Sequence, residues 1–145
     1  MLISVFCIPM VAQASSEARF IIGNGTYSIN GEIKTDAAPY IKDGRTFLPL
    51  RYAAYAVGIG DNSIAWQDDI QTAILCKAEK TIAITPGENR ILVLQNGEVS
   101  QTLLSDAAPE IVQGRVMLPI RAIAESLDCD VQWDGPSQTA IIKMD

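Results

Sequence analysis

Residues 43–51 read DGRTFLPLR, and residues 113–121 read QGRVMLPIR. No other feature limits this chain so strongly, because whatever corner the first segment builds the second must build too. Gly44, Arg45, Leu48, Pro49 and Arg51 recur, 70 residues on, as Gly114, Arg115, Leu118, Pro119 and Arg121. Asp36-Ala-Ala-Pro39 recurs at the same spacing as Asp106-Ala-Ala-Pro109. Farther along the spacing shortens to 67, matching Trp66 with Trp133 and Thr72-Ala-Ile74 with Thr139-Ala-Ile141. The first copy therefore carries three more residues in the Gly/Asp/Asn loop of residues 58–63. The expected organisation is an export signal over residues 1–14 and two copies of one unit, 15–79 and 80–145.

Each copy has the same local logic. Asp43-Gly44 signals a tight hairpin, since glycine accepts the positive φ such turns need, which makes short strands of residues 40–42 and 45–48. Pro49 suits a helix start, where its missing N–H costs nothing. From there Leu50, Ala53, Ala54 and Val57 fall on one helical face, as Ile120, Ile123, Ala124 and Leu127 do in the second copy. Gly58 can stop the first helix, and Asp128 stands in its place in the second. Residues 63–66 and 72–75 then form a second hairpin, echoed by 131–133 and 139–142, and strands are expected at 81–84 and 90–94. Asn30-Gly31 and Asn96-Gly97 open further turns, and Asn24-Gly25-Thr26, although it matches a glycosylation acceptor, reads better as a hairpin. A helix of about nine residues does not stand alone in water, so its stripe must lie on a sheet. The expected fold class is α+β: two tandem repeats, each a small antiparallel β-sheet packed on one short α-helix.

Leu2–Ala12 is apolar, uncharged and too short to span a bilayer, and Ala12-Gln13-Ala14 gives the small-x-small pattern of a cleavage site. The basic segment that normally precedes such a stretch is missing, as expected of a late-assigned start or a fragment. Cys7 follows residues too bulky for the usual lipoprotein signal. Cleavage would leave Cys76 and Cys129, which sit at unmatched places in the repeat and are expected as free, buried thiols. The formal net charge is −6 with no basic run, which disfavours nucleic acid and anionic membranes as partners.

Trp66 and Trp133 raise the idea of a carbohydrate platform, but an aromatic in an alternating strand beside a helix is expected in the core. Arg51 and Arg121 sit in the first helical turn, where a cation opposes the helix dipole. Finding this in both copies points to fixed carboxylate partners, with Asp68 and Asp134 or Asp36 and Asp106 as candidates. Glu125, four residues after Arg121, is a further one. The 145 residues include no histidine, which removes the usual Ser-His-Asp and Cys-His chemistry and imidazole metal sites. No phosphate loop or dinucleotide fingerprint occurs. Asp68-Asp69 and Asp128/Asp130 are the acid clusters from which glycoside hydrolysis could come, although all sit in turn-like contexts that favour Asp anyway.

The ordered pattern NG…D-x-x-P-x-I-x-x-G-R-x-x-L-P-[LI]-R-x-x-A, followed by [VI]-x-W-[DQ] and T-A-I, resembles the copper amine oxidase N-terminal domain-like (stalk domain) family. The likeness covers about residues 20–145 and occurs twice. It implies a small antiparallel sheet against a helix and a non-catalytic appendage in secreted or surface proteins of Gram-positive bacteria. Amine oxidase activity in that family resides in a separate large domain with histidine-held copper, so no catalytic, metal or cofactor residue carries over. Asp128 and Tyr55 depart from the pattern, where glycine and glutamate are usual. The repeat positions Gly44, Arg45, Pro49, Arg51, Trp66 and their equivalents Gly114, Arg115, Pro119, Arg121, Trp133 are thus expected to be structural. The expected role is an exported spacer or protein-interaction module at the cell envelope, with a cell-wall polymer or another envelope protein as partner. The alternative is a polysaccharide- or peptidoglycan-binding module, which requires the tryptophans to be exposed. No cofactor and no transmembrane segment in the mature chain are expected.

Overall fold

The computed structural model describes residues 16–144; the export-signal reading of residues 1–14 lies outside them. Fourteen strands and two short helices run in the order β1 (Ser16–Ile21), β2 (Thr26–Ile29), β3 (Glu32–Thr35), β4 (Tyr40–Lys42), β5 (Arg45–Pro49), α1 (Leu50–Ala56), β6 (Ile64–Gln67), β7 (Thr72–Lys77), β8 (Lys80–Ile84), β9 (Arg90–Gln95), β10 (Glu98–Leu104), β11 (Glu110–Val112), β12 (Arg115–Pro119), α2 (Ile120–Leu127), β13 (Asp130–Asp134) and β14 (Thr139–Met144). A single 3-10 turn, Asp61–Ser63, lies between α1 and β6. The class is α+β, dominated by antiparallel sheet. Among the described residues no helix is long and apolar enough to cross a membrane.

The turn chemistry works as the residues dictate. Asn30-Gly31, Asn96-Gly97, Asp43-Gly44 and Gln113-Gly114 all adopt paired positive φ values, and each joins two adjacent antiparallel strands. Asn24-Gly25 does lie in a hairpin, but Gly23 supplies the positive φ (79°). Gly25 is needed for a different reason: a Cβ there would lie 2.5 Å from the Asp36 carbonyl oxygen.

The sheets are not divided as expected. Instead of one sheet per copy, there are three, ordered β13-β14-β1-β2-β3, β10-β9-β8-β7-β6 and β11-β12-β5-β4. Each contains strands from both sides of residue 79. The cause is a very short connection. Lys77 pairs with Lys80 across the two residues Ala78 and Glu79, so β8 can only fold back on β7. The hairpin β6–β7 is thereby committed to β8, leaving β1 to pair with β14 over the whole register from Ser16↔Met144 to Ile21↔Thr139. In the central sheet the two LP segments meet, with Leu48 opposite Leu118, Phe47 opposite Pro119 and Pro49 opposite Met117.

The core runs through these shared sheets. Phe20, Tyr27, Leu48, Leu75, Ile82, Leu118, Ile123 and Ile142 are fully or almost fully buried. In α1 the expected stripe of Leu50, Ala53, Ala54 and Val57 is buried, and Gly58 ends the helix at φ 88°. In α2 the buried face is turned slightly: Ala122, Ile123, Ser126 and Leu127 are inside. Ile120 and Ala124, expected on the stripe, are only half-buried. The Ser126 hydroxyl satisfies itself by donating to the Ala122 carbonyl (2.5 Å). Asp128 ends α2 in the left-handed region, doing what Gly58 does for α1. Both cysteines are free, but Cys76 is exposed because it follows the inward-facing Leu75 in β7; Cys129 is half-buried, and burial pushes its thiol up to about 11.

Ala78 adopts φ 54° in the connection that joins the two sequence copies. A left-handed L-residue costs roughly 1–2 kcal/mol, part of which glycine returns as lost entropy. Ala78→Gly should therefore raise stability by about 0.5–1 kcal/mol in urea unfolding. Ala78→Pro, held near φ of about −65°, should lower it and broaden the transition.

Candidate functional site

The antiparallel meeting of β5 with β12 has a further consequence. Continued outward, the register that places Pro49 beside Met117 carries Arg115 to the position of Arg51 and Arg45 to that of Arg121. The Gly-Arg corner of each copy thus lies against the helix start of the other. Two corresponding grooves result. One is walled by Pro49, Arg51, Trp66, Gly114, Arg115 and Val116. The other is walled by Pro119, Arg121, Trp133, Gly44, Arg45 and Thr46. Their cavity volumes are about 180 Å³ and about 520 Å³ respectively.

The tryptophans are not in the core. Trp66 and Trp133 are each 41% exposed. Both lie on edge strands, β6 and β13, opposite the small residues Ala73 and Ala140. An edge strand has a neighbour on one side only, so an indole there rests partly on its alanine and leaves the remainder toward the groove. The expected alternation is absent: β6 is exposed from Ala65 to Gln67, and in β13 only Val131 is half-buried.

The arginines form ion pairs, but not with the partners expected for all of them. Asp36 and Asp106 do not hold Arg51 and Arg121. Arg115 Nε donates to Asp36 Oδ1 at 2.7 Å, and Arg45 Nη2 lies 3.0 Å from Asp106 Oδ2, so each aspartate binds the Gly-Arg corner of the opposite copy. Asp36 also accepts from the Ala37 amide (2.8 Å) and the Tyr52 hydroxyl (3.0 Å). Arg51 pairs with Asp61 at 2.8 Å, beside a hydrogen bond from the Tyr55 hydroxyl to the same carboxylate. Arg121 has no ion-pair partner among the described residues; Glu125 does not reach it. Asp68 instead accepts from the Trp66 indole N–H (3.3 Å), and Asp134 accepts from the Ser137 hydroxyl.

The remaining acid candidates are turn residues. Asp128 and Asp130 line a separate depression with Lys77 and Lys143, where Asp130 accepts from the Gln132 amide. Asp68 and Asp69 are exposed in the β6–β7 loop. Among the described residues no group of three His, Cys, Asp or Glu side chains could hold a metal ion. What the grooves offer chemically is an aromatic face beside guanidinium donors, an arrangement for binding flat, polar ligands. The repeat positions Gly44, Arg45, Pro49, Arg51 and Trp66 and their equivalents, expected to be purely structural, line these grooves together with Thr46 and Val116, which the repeat does not single out; the signal the sequence lacks is which copy faces which.

Burial alone would push the Asp36 carboxyl up, but hydrogen bonds from Arg115, the Ala37 amide and Tyr52 outweigh it and hold the group below the usual range. A group lowered on folding stabilises the protein above its unfolded value of about 3.9, and the contribution is lost as pH falls through the folded value. Asp36→Asn should consequently lower the melting temperature at neutral pH. It should also flatten the fall in melting temperature between about pH 5 and pH 2.5 relative to the parent protein.

A family profile described as the copper amine oxidase N-terminal domain matches residues 16–142. No curated protein and no solved structure matched the chain. The match spans both grooves and all three sheets, and the domain it describes is a non-catalytic accessory unit. On that match, the chain belongs to the copper amine oxidase N-terminal domain family.

Proposed function

We propose that this protein is an exported, non-catalytic module of the bacterial cell envelope that binds a wall saccharide through its tryptophan-lined grooves. The observation that carries the reading is the exposure of Trp66 and Trp133 in corresponding places, each beside two arginines. A large aromatic left out of the core on one strand is ordinary. The same placement in both halves, at the wall of a concave site, is what a ring-stacking ligand requires. Export is supported by the apolar leader and its Ala12-Gln13-Ala14 pattern. The repeat is read as two tandem copies, 15–79 and 80–145, that have exchanged their terminal hairpins, so that each groove is built by both.

The spacer or protein-interaction reading has its own support. The outermost strands β3 and β10 expose Ile33 and Leu104 at 67% and 73%, and unpaired edges carrying apolar residues invite a further strand. The two readings separate in one experiment. Purified peptidoglycan sacculi should co-sediment the mature chain, and Trp66→Ala with Trp133→Ala should abolish this while leaving the circular dichroism spectrum unchanged. Retention undiminished by the double substitution would reject the saccharide grooves and favour the edge strands.

A further inference from the structure

The two grooves match in position but not in electrostatics, and the difference has a structural origin. In the Trp66 groove both arginines are neutralised from within: Arg115 by Asp36 at 2.7 Å and Arg51 by Asp61 at 2.8 Å. Asp61 belongs to the 3-10 turn that the three extra residues of the first copy create. The second copy has no such turn, passing from α2 through Asp128 and Cys129 straight into β13. Arg121 is therefore left without a counterpart of Asp61. Where Tyr55 helps hold Asp61, the second copy has Glu125, which forms no ion pair among the described residues. A second change adds room. Tyr52 lines the Trp66 groove, and its equivalent in the second copy is the buried Ala122.

The Trp133 groove consequently holds two guanidinium groups against the single carboxylate of Asp106. Arg45 is itself incompletely satisfied. Its Nη1 donates to the Asp43 carbonyl (2.9 Å) and its Nη2 pairs with Asp106. Its Nε is buried with no acceptor among the described residues, whereas the Arg115 Nε is bound to Asp36. With a cavity of about 520 Å³ this groove falls in the range of small-ligand sites; its counterpart, at about 180 Å³, falls below it.

We infer that the Trp133 groove alone is the ligand site, and that it takes a sugar unit bearing a carboxylate, with Arg121 receiving the acid and Trp133 the ring. This rests on the saccharide reading above and narrows it. A free guanidinium fork matches a carboxylate with two parallel hydrogen bonds, and an indole face accepts the apolar side of a pyranose. A neutral sugar would leave the charge of Arg121 unused. The rest of the protein is net negative, formally −6, so an acidic ligand is favoured here by local charge and not by the overall field.

Trp66 and Trp133 are the only tryptophans, which makes the two grooves separately readable. Trp66→Phe leaves Trp133 as sole indole emitter, and Trp133→Phe leaves Trp66. Each is titrated with trigalacturonate, with the uncharged N-acetylglucosamine trimer and with a short acidic peptide. The expected result is saturable quenching of Trp133 by trigalacturonate alone, weakened about tenfold or more by Arg121→Ala. Raising salt to about 1 M, where screening acts over roughly 3 Å, should weaken it too. Trp66 should stay silent. Equal responses from both tryptophans would overturn the asymmetry. Binding of the neutral trimer but not the acid would overturn the carboxylate assignment while leaving the saccharide reading intact. Binding of the peptide in place of either sugar, through Arg121, would reject both. No response to any probe, with sacculus binding retained, would overturn this inference alone.

Discussion

Leu48 facing Leu118 is the contact from which the remaining architecture follows. Both are fully buried, and the antiparallel pairing around them sets the two Gly-Arg corners at opposite ends of one four-stranded sheet. Phe47, Pro49, Met117 and Pro119 beside them are buried as well, so both faces of this pairing are covered and a slip of one residue would exchange the leucines with differently shaped neighbours. The flanking Pro49 and Pro119 lock the point where strand gives way to helix; each is the N-cap residue, in extended conformation with φ near that of its ring. From this one register follow the reach of Arg45 to Asp106 and of Arg115 to Asp36. Such half-exposed pairs add little stability individually. Their main effect is geometric, holding each hairpin tip beside the helix of the other copy.

The same interleaving decides where a site can be. In the shared sheets β6 and β13 lie at the edges, and their indoles are groove walls. The grooves then diverge through small local changes: a three-residue turn that supplies Asp61, and a tyrosine at position 52 where the second copy has alanine. One groove is smaller and has both arginines paired, and the other is wider and holds two guanidinium groups beside the single carboxylate of Asp106 among the described residues.

Much of the local structure was legible. The Asn-Gly, Asp-Gly and Gln-Gly turns, the proline at each helix start and the stripe of α1 all lie where the residues placed them, since each depends on interactions within a few positions. The failures share a cause. The Ala78-Glu79 connection carries no glycine, asparagine or proline, so nothing in it advertised a tight turn, yet it is this turn that commits β7 to β8. The tryptophan pattern suggests a core-facing strand, but it cannot show that β6 and β13 lie at sheet edges with little of either face covered. A periodic pattern says nothing about which copy a side chain will meet, so the pairing expected within one copy gives way to pairing across copies for Arg45 and Arg115. Asp36 and Asp106 are arginine partners, but of Arg115 and Arg45 instead of the expected Arg51 and Arg121.

Sequence alone determined the α+β composition, the short antiparallel strands, the two proline-led helices and the presence of a repeated Gly-Arg corner. These follow from turn conformation, hydrophobic period and the absence of an N–H at proline, all of them local. Only the tertiary structure decided that the sheets would be shared, that the tryptophans would face solvent, and that Arg51 finds an ion-pair partner among the described residues while Arg121 does not. Most of this rests on pairings far apart in sequence, such as Leu48 with Leu118 and Ser16 with Met144, where chain connectivity and packing, not local preference, select the neighbour; the Arg51–Asp61 pair rests instead on the turn that follows α1.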